Sequence, residues 1–350
     1  MNDTTSTEII ATRRRVLQGG LGLAALATLG VARAAVDTGA PQVRFLTRAE
    51  GAAALARTPG DAYYASMSLP EIRARMKSAL PGTSLADARI AVRDYDAAAV
   101  LAFTAEERVA IAALIGRLQP LLASRAPLYA RTPWSFIKLH DRAEGGMPHT
   151  RGAHVVLPKE AVDFFVKMHR EAPAGLRGGG LLVHEQTHVL ERADPARFEP
   201  LFTEVFGFER MTPAPANAWL SARRCINPDG PDVVWAFPLD KIGGSGWVMP
   251  DVTLADKPLP RMPDDFQAVG VAVEKSAAAW TILADDGVPR RLDLDKVAGY
   301  HAHFPFPDED FHPNEIAAVT LSHWILQDVP DIDKHPLMPA VAVWAKSALA

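Results

Sequence analysis

The chain has 350 residues, 48% of them hydrophobic, and a formal charge of −4 at neutral pH. This is the composition of a globular protein with a sizeable core in one large domain or two, and the lack of a basic excess argues against nucleic acid as a partner. Cys225 is the only cysteine, so neither an intrachain disulfide nor a thiolate metal cluster can form, and its thiol reads as a small buried hydrophobe.

At the N-terminus, residues 12–18 (TRRRVLQ) resemble a twin-arginine export signal. A Gly- and Ala-rich apolar run follows from Val16 to Val31, and Ala32-Arg33-Ala34 offers a small-x-small cleavage site. With Gly19, Gly20, Gly22 and Gly30 in it, the run is too weakly apolar for a membrane span. The expectation is a signal peptide over 1–34 cleaved near Ala34, delivery to the periplasm or beyond by the twin-arginine machinery, and no stable membrane insertion of the mature chain. Removal takes away four Arg together with Asp3 and Glu8, which changes the charge from −4 to −6. Twin-arginine export carries folded proteins, which suits a chain that lacks disulfides and allows a metal to be loaded first.

Residues 35–131 read as mainly helical. Ser68-x-x-Glu71 is a capping-box pattern ahead of IRARMKSAL, which Pro81-Gly82 should end. Thr104-x-x-Glu107 opens a longer helix, with Ile111, Leu114, Ile115 and Leu118 at helical spacing until Pro120. From Trp134 to Pro158 the pattern changes to two short β-prone runs, 135–139 and 154–157, joined by a Gly- and Pro-containing connection.

Leu181 to Arg192, LLVHEQTHVLER, carries His184-Glu185-x-x-His188. On a helix, positions i and i+4 share a face, so the two imidazoles can converge on one point. Two neutral imidazoles suit Zn²⁺, and Glu185 can lean over the metal as general base for a water. Leu181, Leu182, Val183, Val189 and Leu190 fit a buried helix, and Gly178-Gly179-Gly180 gives it an abrupt start with room for close approach.

Beyond it, Asp194 caps and Pro195 starts a helix with the apolar stripe Phe198, Leu201, Phe202, Val205 and Phe206, which reads as core. Residues 212–263, rich in Pro, Trp and turn signals such as Asn227-Pro228-Asp229-Gly230, are expected to form long loops over one face of the site. Short antiparallel strands follow at 267–273, 280–283 and 290–292, with a turn at Asp285-Asp286-Gly287. Residues 311–327 (FHPNEIAAVTLSHWILQ) read as a helix with Pro313 in its first turn.

HExxH supplies two ligands, and a catalytic zinc usually takes three from the protein. The residues after His188 lack the Gly and His of the metzincin continuation, which leaves a downstream Glu. Glu204 and Glu209 follow soon after. Glu315 lies far along, in Asn314-Glu315-x-x-Ala318, which is similar to the Asn-Glu-x-x-small pattern of many gluzincins. Glu315 is favoured over Glu209, with Glu204 third.

On these two motifs the chain resembles the gluzincin zinc metallopeptidases. The resemblance implies an α+β fold, with a zincin-like catalytic core over 132–350. In that core a small mixed or antiparallel sheet lies over the HExxH helix, and the helical region 35–131 packs on it. It implies a peptide or protein substrate, attack by a zinc-activated water on the metal-polarised carbonyl, and proton transfer through Glu185. An edge strand above the metal helix would pair with substrate, which makes His149, Arg151 and His154 candidate contacts, although they also read as ordinary polar loop residues. Val319 stands where an acid often follows the third ligand, so a histidine-orienting carboxylate must come from elsewhere, with Asp308, Glu309 and Asp310 as candidates. An oxyanion-stabilising Tyr or His is also implied. Tyr300 and His312 are preferred over His301 and His303. Two alternatives remain: a zinc hydrolase of a non-peptide amide or ester, and an exported zinc-binding or structural protein without turnover.

Overall fold

The computed structural model describes residues 42–57, 62–230, 234–306 and 310–350. The expected export signal and its cleavage point at Ala34, and the candidates Asp308 and Glu309, lie outside the described residues. The molecule is of the α+β class, with helices and two small sheets.

The first sheet is mixed. Its centre is β3 (Trp134–Leu139), which runs parallel to β1 (Val43–Phe45) and to β5 (His154–Pro158). β2 (Val100–Leu101) pairs antiparallel with the end of β3, and β4 (His149–Arg151) forms the outer edge against β5. The side chains of β3 alternate between two cores: Trp134 and Phe136 join the main one, and Ile137 and Leu139 a smaller one behind the sheet. Two-sided burial explains why the run is almost continuously apolar. Lys138 is tolerated because its Nζ lies 2.6 Å from Oε1 of Glu107.

The sheet crosses the expected division at 131/132, since β1 and β2 belong to the region read as helical. Three residues, Val43-Arg44-Phe45, are too few for a periodicity to register. The helices there are α1 (Arg48–Arg57), α2 (Tyr63–Ser66), α3 (Leu69–Met76), α4 (Leu85–Ala98), α5 (Ala105–Arg125) and α6 (Pro127–Arg131). Ser68 caps α3, but Glu71 turns to Arg75 and to the Ile226 N–H instead of closing a box. α3 stops at Met76, where Lys77 is left-handed (φ 51°), short of Pro81-Gly82. The Thr104/Glu107 capping box of α5 forms in full. That helix runs through Pro120, held by the buried Leu118 and Leu122 on either side of it.

Buried charge binds this region to the rest. Arg75 pairs with Glu71 and with Glu144, and Tyr63 donates to Glu144 at 2.7 Å. Burial alone would raise the Glu144 carboxyl, but Arg75 and then His149 outweigh it and hold it down to about 2.

Next come α7 (Lys159–Glu171), α8 (Gly179–Ala193), which carries HExxH, and α9 (Pro195–Pro200), which continues as a π-turn through Val205. Asp194 caps α9 as expected, and Phe198, Leu201, Phe202 and Phe206 are buried. The second sheet is antiparallel, in the order β10 (Trp280–Ile282), β9 (Phe266–Lys275), β8 (Trp247–Leu254), β7 (Trp235–Pro238), β6 (Glu209–Arg210), with Arg291–Leu292 added on β9. Asp286 and Gly287 (φ 49° and 81°) make the tight turn between Asp285 and Val288.

Within 212–263, read as loops, residues 235–238 and 247–254 are therefore sheet. Its prolines disguised it: Pro250 is compatible with β8 because β7 covers that strand only at Trp247 and Val248. Of that region, the Asn227–Gly230 turn reaches the HExxH helix and its surroundings. After α10 (Ala218–Arg223) and α11 (Tyr300–His303) come α12 (Pro313–Leu326) and α13 (Met338–Ala348). α12 packs along α8 and is buried on nearly every side, which is why its sequence is apolar all round. Among the described residues, no helix is long and apolar enough to cross a membrane.

Candidate metal centre

α8 begins abruptly at Gly178, in the left-handed conformation (φ 89°). A Cβ on Gly178 would lie 2.7 Å from Cε1 of Phe165, and one on Gly179 would lie 2.9 Å from Cδ2 of Leu118. The glycines thus let α7 and α5 close on the first turn. Further along, Tyr129 and Thr187 are hydrogen-bonded at 2.7 Å, and the Thr187 hydroxyl donates to the Val183 carbonyl at 2.8 Å. The Tyr129 bond ties the middle of α8 to α6, and α12 packs along α8.

Three ligand-type atoms converge there. Nε2 of His184 and Nε2 of His188 are 3.1 Å apart, and Oε2 of Glu315 is 3.3 Å from the first and 3.5 Å from the second. Four ligands placed tetrahedrally at about 2.0–2.1 Å from a zinc ion stand roughly 3.3–3.4 Å from one another, so the triangle has the size such an ion requires. The donor set, two imidazole nitrogens and one carboxylate oxygen, also fits. The group could hold a metal ion.

The ring is oriented from behind. Nδ1 of His188 lies 3.0 Å from Oε2 of Glu191, so Nδ1–H donates to it and Nε2 is the atom turned toward Glu315. Burial pushes the Glu191 carboxyl up to about 7, against the pull of His188. Burial also disfavours a charged His188, but Glu315 and then Asp229 outweigh it and hold the imidazolium well above its usual range. With Glu185, itself 3% exposed, Glu191, Glu315 and Asp229, the surroundings are rich in buried carboxylates, whose burial a cation would offset.

Glu315 owes its position to the start of α12. His312 is the N-cap, its Nδ1 accepting the Asn314 N–H at 3.2 Å, so the neutral ring keeps its proton on Nε2. Asn314 Oδ1 accepts the Glu315 N–H at 2.9 Å. Asn227 donates from Nδ2 to Oε1 of Glu315 at 2.6 Å. Glu209 is instead paired with Lys275 on the second sheet, and Glu204 is exposed on the turn after α9.

The remaining expected residues are dispersed. Tyr300 donates its hydroxyl to the Asp310 carbonyl at 2.9 Å, and its ring packs on Phe237 and Phe304. Asp310 pairs with His301, which also meets Asp295 at 2.7 Å, so the carboxylate that contacts a histidine of the candidate site is Glu191 rather than Asp310. β4 is the sheet edge next to α8, but His149 and Arg151 are each 2% exposed. His149 Nδ1 lies 3.1 Å from the Met147 carbonyl, and Arg151 stacks on Tyr63 and Tyr64 at 4.3 and 4.5 Å. His154 is on the inner strand β5, 2.8 Å from the Ser135 hydroxyl.

Glu191 and Asn227 support the site without being among the residues expected from the sequence. The first carried a signal, its i+3 spacing from His188; the second did not. Comparison of the chain with family models, curated proteins and solved structures finds no match.

Proposed function

We propose that this chain is an exported zinc metallopeptidase of gluzincin type, with His184, His188 and Glu315 as the metal ligands in a zincin-like core. The observation that carries the reading is the triangle of Nε2, Nε2 and Oε2 atoms at 3.1, 3.3 and 3.5 Å, with Glu185 next to its first member on the same helix. Export rests on the likeness of residues 12–18 to a twin-arginine signal.

A zinc ion held by His184, His188 and Glu315 would supply Lewis acidity there. Glu185 would act as the general base toward a water and pass its proton to the leaving amine. Glu191 keeps His188 in the tautomer whose Nε2 faces the metal, and Asn227 fixes one oxygen of Glu315 so that the other turns to the histidines. His312, the N-cap of the helix that carries Glu315, is the preferred oxyanion contact, because the Tyr300 hydroxyl donates to a backbone carbonyl within the aromatic core.

One observation favours a second reading, hydrolysis of a small non-peptide amide or ester. The outward N–H of β4, at Thr150, already donates to Asp229 at 2.6 Å. Cleavage of β-casein, an extended protein substrate, tests the first reading: zinc-loaded wild type cuts it, and Glu185→Gln retains zinc while losing about 10²–10⁴-fold in rate. Equal rates in both would discard the base role. Turnover of p-nitrophenyl acetate without casein cleavage would move the assignment to the second reading.

A further inference from the structure

The Asn227–Gly230 turn lies between β4 and the start of α12 and holds both. In the β4–β5 hairpin, Thr150 stands opposite Val155, and its N–H is turned away from β5. That N–H donates to Oδ1 of Asp229 at 2.6 Å, and the Thr150 hydroxyl donates to the same oxygen at 2.7 Å. Arg192, one turn beyond His188, completes the clasp. Its Nη1 donates to Oγ1 of Thr150 at 2.7 Å and to the Gly152 carbonyl at 3.0 Å, and its Nη2 to the Pro228 carbonyl at 2.8 Å.

The other end of the turn reaches the third ligand. Asn227 Oδ1 accepts the Asp229 N–H at 3.0 Å, while Nδ2 of the same carboxamide donates to Glu315 at 2.6 Å. Gly230 seats the turn against α12: a Cβ there would come within 3.0 Å of both Asn314 and His312. A peptide that adds to a sheet edge pairs with the outward N–H and C=O groups of the edge strand. On β4 the outward residue is Thr150, and its N–H is engaged by a carboxylate buried to 7% exposure, a charge-assisted bond stronger than a peptide carbonyl would make.

We propose that the Asn227–Gly230 turn is a built-in competitor for the substrate backbone. Asp229 leaves Thr150 before an extended peptide pairs with β4. This inference rests on the metallopeptidase reading and assigns a regulatory contact to the same site.

Two hydroxamates test it on the zinc-loaded full chain. Acetohydroxamate reaches the metal alone, whereas acetyl-Pro-Leu-Gly-hydroxamate also lays a peptide along the edge. Asp229→Ala raises the affinity for the tripeptide hydroxamate relative to that for acetohydroxamate about fivefold, the factor expected for removing one net hydrogen-bond competitor. Asp229→Asn, which keeps the shape but only a neutral acceptor, shows a smaller gain in the same direction and decides the matter if the alanine variant does not fold. An unchanged or lower ratio of the two affinities overturns the competitor while leaving the metal site standing. If zinc-loaded wild type binds neither compound, the metallopeptidase reading fails and the competitor falls with it.

Discussion

Nδ1 of His188 lies 3.0 Å from Oε2 of Glu191, three residues further along the same helix, so one turn of α8 carries both a candidate metal-binding imidazole and the carboxylate that orients it. Removing such a partner leaves the ligand in place and lowers its basicity and order. Glu191→Gln is expected to weaken zinc binding by about 10–100-fold, measured by competition with a chelator. An unchanged affinity would mean that packing alone sets the His188 ring.

The Asn227 carboxamide does the same for Glu315 from a different element. Asn227→Ala removes a hydrogen bond to a charged oxygen, worth roughly 1.5–3 kcal/mol, and zinc affinity should fall accordingly. Asn227→Asp should be worse than alanine, because it brings a second carboxylate against Oε1. Zinc titration of the three chains gives the order, and a reversed order would show that the bond does not support the ligand.

Gly178 tests the start of the metal helix. It has φ 89°, and a Cβ there would lie 2.7 Å from the Phe165 ring. Gly178→Ala combines backbone strain with overpacking and should cost roughly 2–4 kcal/mol in urea unfolding of the metal-free chain. A cost below 0.5 kcal/mol would show that α7 can move aside.

His301 predicts a pH dependence away from the metal. Its imidazole is held between Asp310 and Asp295 and raised to about 9, first by the hydrogen bond to Asp310, against burial. A folded pKa above the unfolded value of about 6.5 gives stabilisation that is complete below that value and lost as pH rises through 9. The melting temperature of wild type should therefore fall more steeply from pH 6.5 to 9.5 than that of His301→Gln. Parallel curves would remove His301 from the account.

The parts of this site differ in how far the sequence could carry them. His184 and His188 were legible because helical spacing alone brings positions i and i+4 together. Glu191 is equally local, but no family pattern points to it, whereas nearness to Glu315 in sequence points to Asp308, Glu309 and Asp310. Glu315 could be proposed from a motif, yet its approach to the histidines depends on how α12 packs along α8, which no local rule specifies. Tyr300 illustrates the converse: near Glu315 in sequence, it belongs to the aromatic core with Phe237 and Phe304. The edge position of the His149 segment was readable, but the orientation of His149 and Arg151 was not. His149 turns to the Met147 carbonyl within its own connection, and Arg151 to Tyr63 and Tyr64, which come from the helical region before it.

The most direct test of the central claim is metal analysis of purified protein after reconstitution with zinc. The account predicts about one zinc per chain in wild type, Glu209→Ala and Glu185→Gln, with loss in His184→Ala and Glu315→Ala. A wild-type chain that takes up no zinc, or a Glu315→Ala chain that holds it as tightly as wild type, would contradict it.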